Sequence, residues 1–168
     1  MDYDSIGRLE WVVAPKGNLV GADPELWKTR LVSDAFGRVI EETDPLGNRV
    51  KTGFDANGNM NRVETGLSAM VTTGDVTTYG YDAVDRLTSV DPPGPGARTY
   101  SYDADGRRVG FVNELGGTWA YGYDGLGRLV SQSDPAGEVT AYGWDGEGRL
   151  GTITQPGGNC AVSPKTGC

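Results

Sequence analysis

A chain of 168 residues with 27 glycines, nine prolines and 37% apolar residues fits one domain with a thin, spread-out core and many turns. Its formal charge of −8 argues against nucleic acid, whose phosphates demand a basic surface, and no apolar run of about 18 residues is present to form a membrane span. The absence of histidine excludes Ser-His-Asp and Cys-His catalysis and the common zinc sites, so no cofactor is expected.

The first thirteen residues, MDYDSIGRLEWVV, lack the basic, apolar and small-residue order of a signal peptide. They open inside a phrase that recurs along the chain, as in a fragment of a longer protein or a short frame descended from one. The phrase is marked by Asp4, Asp34, Asp55, Asp82, Asp103, Asp124 and Asp145, with gaps of 30, 21, 27, 21, 21 and 21 residues. Seven units thus share one 21-residue period, with insertions of nine and six residues.

Take each of these aspartates as position 0. Gly7 and Arg8 then stand at +3 and +4 of the first unit. Asp-x-x-Gly suits a three-residue hairpin loop, a type I turn closed by a left-handed glycine that forms a bulge. Such a loop sets the Asp at 0 against the Arg at +4, and the aromatic at −1 against the Leu at +5 on the opposite face. A second turn signal follows in most units, Pro at +11 or Gly at +13, as in Pro15 and Gly17. Two strands per unit predict an antiparallel meander of roughly a dozen short strands.

The nine-residue insertion occupies residues 19–26, where Asp23-Pro24-Glu25-Leu26-Trp27 reads as one helical turn. The second unit follows with Gly37 and Arg38, then Asp44-Pro45-Leu46-Gly47 as its second turn. The third has Asn59 and Met60 at the Arg and Leu positions. Its Asp55-Ala56-Asn57-Gly58-Asn59, like Asp103-Ala104-Asp105-Gly106, echoes the start of a calcium loop. The twelfth positions are Gly66 and Glu114, Arg107 follows Gly106, and no helices flank either loop, so the turn reading is preferred. The six-residue insertion lies at about 67–76. Both insertions fall after a second turn, so they are expected on one edge of the sheet, where any partner contacts of this segment would sit.

The remaining units give the phrase most fully: Tyr81, Asp82, Arg86 and Leu87; Tyr102, Asp103, Gly106 and Arg107; Tyr123, Asp124, Gly127, Arg128 and Leu129; Trp144, Asp145, Gly148, Arg149 and Leu150. Unit four has Asp85 in place of the turn glycine, which should weaken its turn. Unit five has Arg108 in the Leu column, with Val109 next, and a one-residue bulge would restore the register. Tyr79, Tyr100, Tyr121 and Tyr142 at −3 share a strand face with the aromatics at −1. Between them Gly53, Gly80, Gly122 and Gly143 leave the other face bare, so the sheet should be curved or closely covered there. The aromatic stripe reads as core, and the carboxylates as turn formers rather than as a hydrolytic pair. Beyond the repeats at 1–159, the tail 160–168 holds Cys160 and Cys168, either a small disulfide loop of an oxidising compartment or two idle thiols.

Tyr-Asp-x-x-Gly-Arg-Leu, then Asp-Pro-x-Gly, then Tyr-x-Tyr-Asp on a 21-residue step, resembles the RHS or YD repeats over residues 3 to about 158. That family occurs in bacterial polymorphic toxins, insecticidal toxin-complex subunits, wall-associated surface proteins and animal teneurins. The resemblance implies a curved antiparallel sheet, a slice of a spiral β-shell that encloses a toxin polypeptide or serves adhesion. It also implies a secreted or cell-surface setting and a non-enzymatic, structural role. Some members are described as carbohydrate-binding, which makes a glycan- or cell-surface-binding module the alternative. Asp44-Pro45-Leu46-Gly47 looks like part of the family's autoproteolysis motif, but Asn48 follows and the pattern recurs as a turn at Asp134-Pro135-Ala136-Gly137. Open sheet edges would pair with neighbouring repeats or with other copies of the chain.

Overall fold

The computed structural model describes residues 1–14, 21 and 23–161. The chain forms two compact units, Met1–Gly94 and Pro95–Cys168. The first holds β1 (Asp2–Tyr3), β2 (Leu9–Val13), β3 (Lys28–Ser33), β4 (Val39–Thr43), β5 (Arg49–Phe54), β6 (Met60–Leu67), β7 (Asp75–Tyr81) and β8 (Leu87–Asp91). The second holds β9 (Arg98–Tyr102), β10 (Arg108–Val112), β11 (Thr118–Tyr123), β12 (Leu129–Ser133), β13 (Val139–Trp144), β14 (Leu150–Gln155) and β15 (Gly158–Ala161). Within each unit every strand pairs antiparallel with the next in the chain, an uninterrupted meander as the 21-residue period implies.

Among the described residues fifteen strands form, the short pieces β1 and β15 extending at its two ends the meander of roughly a dozen that was expected. The expected helical turn is a 3₁₀ turn over Pro24–Trp27, where the Leu26 N–H donates to the Asp23 carbonyl at 3.2 Å. The β6–β7 connection holds the six-residue insertion, while the nine-residue insertion between β2 and β3 lies partly outside the described residues, and so does the expectation that both share an edge. Cys168 lies outside the described residues, and so does the question of a bond to Cys160.

Each repeat turns by the same chemistry. Between β11 and β12, the Asp124 N–H donates to the Arg128 carbonyl at 3.0 Å and the Gly127 N–H to the Asp124 carbonyl at 2.9 Å. Gly127 has φ of 79°, the left-handed conformation that closes the loop without a Cβ penalty. The register then slips by one residue: Tyr123 faces Leu129 but Gly122 faces Ser131. Unit five has the same slip, with Arg108 still opposite Tyr102 and Gly110 opposite Ser101. Its bulge is therefore the one every repeat has, not a repair for Arg108. The second turns reuse the device through Asp44, Asn113 and Asp134 at +10, a signal less visible in sequence than the proline and glycine beside it.

The bare face is filled locally. A Cβ added at Gly80, Gly122 or Gly143 would lie 2.4, 2.4 or 2.2 Å from the hydroxyl oxygen of Ser89, Ser131 or Thr152. The glycine at −2 thus makes room for the side chain at +7 across the bulge. In unit five the roles are exchanged, with Gly110 at +7 accommodating Ser101. No overlying layer is needed at these positions to account for the glycines.

The aromatic columns are half-buried apart from the exposed Tyr3, and among the described residues Leu67 alone is fully buried, at 1% exposure. This corrects the expectation that the Tyr-Leu pairs form a core. Leu67→Ala should cost about 2 kcal/mol, near the low end for such truncations because a thin sheet can relax around the gap. Urea unfolding of the two proteins measures it.

Candidate functional site: the joints between hairpins

In the first hairpin loop of each repeat one carboxylate does three jobs. Oδ1 of Asp124 accepts the N–H of Leu126 at 2.9 Å and of Arg128 at 3.0 Å, while Oδ2 accepts Arg128 Nε at 2.7 Å. Asp4, Asp34, Asp82, Asp103 and Asp145 repeat the pattern with Arg8, Arg38, Arg86, Arg107 and Arg149, Nε lying 2.6–2.8 Å from the carboxylate. Hydrogen bonds to the charged form hold these carboxyls below their ordinary range. At Asp4, Asp82, Asp124 and Asp145 the backbone N–H at +4 is the main cause. At Asp34 and Asp103 burial pulls the carboxyl up, and the side-chain and backbone bonds from the arginine together outweigh it.

A carboxyl whose folded pKa is depressed stabilises the fold above its unfolded value and loses that contribution as pH falls through the folded one. All these shifts are downward from 3.8. Scanning calorimetry should therefore show Tm constant near neutrality and falling below about pH 4 as the loops are protonated. A Tm independent of pH down to about pH 2 would contradict it.

Four of these arginines also reach the next repeat. Arg8 Nη1 donates to the Asp34 carbonyl at 2.7 Å, across to the second hairpin. Arg38 lies over the Phe54 ring at 4.4 Å, Arg107 over Tyr123 at 5.2 Å and Arg128 over Trp144 at 5.5 Å, each the −1 aromatic of the following unit. The aromatics answer in the other direction. Tyr81 Oη donates to the Met60 carbonyl at 2.9 Å, Tyr123 Oη to the Arg108 carbonyl at 3.0 Å and Trp144 Nε1 to the Leu129 carbonyl at 2.8 Å. Each acceptor is the +5 residue of the preceding unit. Burial, then the negative charge of Asp55, raises the Tyr81 hydroxyl above its ordinary pKa and keeps it a donor. At the joints between units five and six and between units six and seven, arginine forward and aromatic backward make a two-way clamp.

The third joint uses different atoms. Unit three has Asn59 where the arginine belongs, and unit four has Asp85 where the glycine belongs. Asp85 takes φ of 62°, the one positive φ outside glycine among the described residues. The turn is nonetheless complete, with the Asp85 N–H on the Asp82 carbonyl at 3.1 Å and the Asp82 N–H on the Arg86 carbonyl at 3.0 Å. The expected weakening of this turn is not seen in its geometry. Oδ1 of Asp85 accepts Nδ2 of Asn57 at 2.8 Å and of Asn59 at 2.6 Å, so the hairpins are joined by amide–carboxylate bonds. Asp85→Gly alone should change stability little, because the relieved φ offsets the lost bonds. Asn59→Arg with Asp85→Gly rebuilds the usual clamp and should gain about 1 kcal/mol. A double variant no more stable to urea than Asp85→Gly would refute this exchange.

The sequence-assigned residues of units four to seven all lie at these loops and joints. Leu87, Leu129 and Leu150 sit opposite Tyr81, Tyr123 and Trp144 as expected, and Gly106, Gly127 and Gly148 all take the left-handed conformation. What the sequence reading missed is the link between units: the +5 carbonyls as acceptors, and the pairing of Asn57 and Asn59 with Asp85. The available signal was two departures from the phrase in adjacent units, each noted separately. Of the carboxylate pairs, Asp103 and Asp105 share Arg107, at 2.7 Å each. Asp44-Pro45-Leu46-Gly47 forms an ordinary turn, Asp44 Oδ1 accepting the N–H groups of Leu46 and Asn48 at 2.9 and 2.8 Å. Among the described residues no group of three or more Cys, Asp or Glu side chains is placed to hold a metal ion, and no helix is long and apolar enough to cross a membrane.

The model of the RHS Repeat family matches residues 34–68, 102–138 and 123–159, together more than half of the chain. No curated protein matches. The crystal structure of TcdB2-TccC3-TEV is similar in fold, with a TM-score of 0.63 at 18% identity over 96% of this chain. The crystal structure of TcdB2-TccC3 gives 0.45 at 18% identity over 92%, and the Photorhabdus luminescens Tc holotoxin pore 0.42 at 18% over 89%. The chain spans only 10–11% of the length of these structures.

Proposed function

Since the chain belongs to the RHS-repeat family, we propose that it is a non-enzymatic stretch of β-wall in a secreted or cell-surface protein, a slice of a shell that encloses or displays another polypeptide such as a toxin. The two-way clamp is the observation that supports this most. At these joints the arginine or the aromatic of one repeat also binds the neighbouring repeat, which is what a wall built by addition of hairpins needs. Neighbouring RHS repeats are then the primary partners, met through the same arginine and aromatic contacts. The enclosed polypeptide is the second partner, sequestered by steric exclusion rather than by a pocket.

The test is a chimera. These repeats replace an equal run in a toxin-enclosing RHS-repeat protein, and protease resistance of the enclosed polypeptide is followed. Retained resistance is the expected result. A chimera with native β-sheet circular dichroism whose cargo is nevertheless digested would overturn the reading.

A further inference from the structure

The joint between units three and four carries a reactive pair found nowhere else in the chain. Asn57 precedes Gly58, the sole Asn-Gly step, and both are exposed at the tip of the unit-three loop. An asparagine side chain is open to attack by the backbone nitrogen of the next residue, and glycine, lacking Cβ, hinders that approach least. Every other asparagine precedes a residue with a side chain, as at Asn48-Arg49, Asn61-Arg62 and Asn113-Glu114.

Two charged neighbours act on this step in opposite directions. The Arg38 guanidinium of the preceding unit stands beside Gly58, with Nη1 3.5 Å from where a Cβ would sit. A cation there favours the attacking nitrogen in its anionic form. From the following unit, Asp85 Oδ1 accepts Asn57 Nδ2 at 2.8 Å. That bond anchors the amide, and the Asp85 charge disfavours the negative oxygen that develops on Cγ during attack. The Gly58 N–H is itself donated to the Asp55 carbonyl at 3.2 Å, against 2.9–3.1 Å for the other six closures at +3.

We propose that Asn57-Gly58 is a self-modification site whose conversion loosens the joint between units three and four, with Asp85 as its brake. The Gly58 nitrogen bonds to Asn57 Cγ, the Cγ–Nδ2 bond breaks, and Nδ2 leaves as ammonia, taking up through solvent the proton that Gly58 gives up. One water then opens the succinimide ring at either carbonyl, to an aspartyl or an isoaspartyl linkage. Amide and water become carboxylate and ammonia, with no change of oxidation state.

The new carboxylate faces Asp85 where an amide donor stood, and position 59 of this unit holds Asn59 rather than an arginine to offset it. The isoaspartyl product also lengthens the main chain of the loop by one methylene. Strand pairing and the bond from Tyr81 Oη to the Met60 carbonyl persist, so the hairpins stay attached by fewer bonds. This chemistry concerns the atoms of one joint and stands whether or not the wall encloses another polypeptide.

The intact chain is held in mildly alkaline buffer, which favours the anionic nitrogen, and its peptides are mapped by mass spectrometry. Asn57 should convert ahead of Asn48, Asn61 and Asn113, giving aspartyl and isoaspartyl forms of one peptide. Asp85→Gly should convert roughly tenfold faster, the scale of one hydrogen bond to a charged group. Asp85→Asn keeps a side-chain acceptor and tolerates the same φ, and it should also convert faster, which separates loss of the charge from loosening of the turn. Asn57→Asp, the aspartyl product made directly, should unfold at lower urea than the natural chain at neutral pH. Adding Asp85→Gly should remove most of that loss. An Asn57 left intact while another asparagine converts overturns the proposal. So do unchanged rates in both Asp85 variants, or an Asn57→Asp chain as stable as the natural one.

Discussion

Gly96→Ala is expected to destabilise the second unit by about 4 kcal/mol. Gly96 has φ of 90°, which an alanine adopts only at a cost of about 1–2 kcal/mol. Its added Cβ would also lie 1.9 Å from the Glu114 carbonyl oxygen, 2.7 Å from the carbonyl carbon and 3.0 Å from Cα. These are backbone atoms, so no rotamer change relieves the clash, and the segment before β9 must move away from the β10–β11 turn. Such movement also pulls apart the ion pair between Arg98 and Glu114. Gly125→Ala is the control, because nothing lies within 4 Å of the added group. Urea unfolding of both variants reads the difference, and equal midpoints would refute the account.

The contrast with Gly122 shows where sequence reading succeeds and where it stops. Glycine at −2 was recognisable as a column, and its repetition implied close approach on that face. The nature of the approach was not legible, because the intruding atom is a hydroxyl on a residue nine positions away, across a bulge that shifts the register. The exchange of Ser101 and Gly110 in unit five is the sequence trace of that contact, visible only when −2 and +7 are read as a pair. Gly96 left no such trace. It lies outside the repeated columns, and its constraint comes from a carbonyl 18 positions further on.

The hairpins themselves were legible for a simple reason: they are encoded within five residues. Asp at 0, Gly at +3 and Arg at +4 specify loop, left-handed closure and ion pair without help from the rest of the fold. The clamp was not, since its acceptors are main-chain carbonyls, which every residue carries. Burial was also misjudged. Alternation correctly put the tyrosines on one face, but alternation does not say whether anything covers that face. The side chains there reach half-burial by lying against one another across strands, as Tyr100, Phe111 and Trp119 do with ring centroids 5.4 and 5.1 Å apart.

Trp144 puts the clamp to its most direct test, because its ring serves three contacts at once. Its Nε1 donates to the Leu129 carbonyl at 2.8 Å, its face lies 5.5 Å from the Arg128 guanidinium, and it stands opposite Leu150 in the register. Trp144→Ala should cost about 3 kcal/mol, the low end for a large aromatic because the site is only half-buried. Trp144→Phe keeps the stacking and the apolar pair but removes the donor, and should cost about 1 kcal/mol. A double-mutant cycle with Arg128→Ala separates clamp from packing. If the arginine and the ring act together, Trp144→Ala will cost less when Arg128 is already absent, by about 0.5–1 kcal/mol. If the two losses simply add, the ring is filling space within its own hairpin, and the joint between repeats six and seven is held by strand pairing alone.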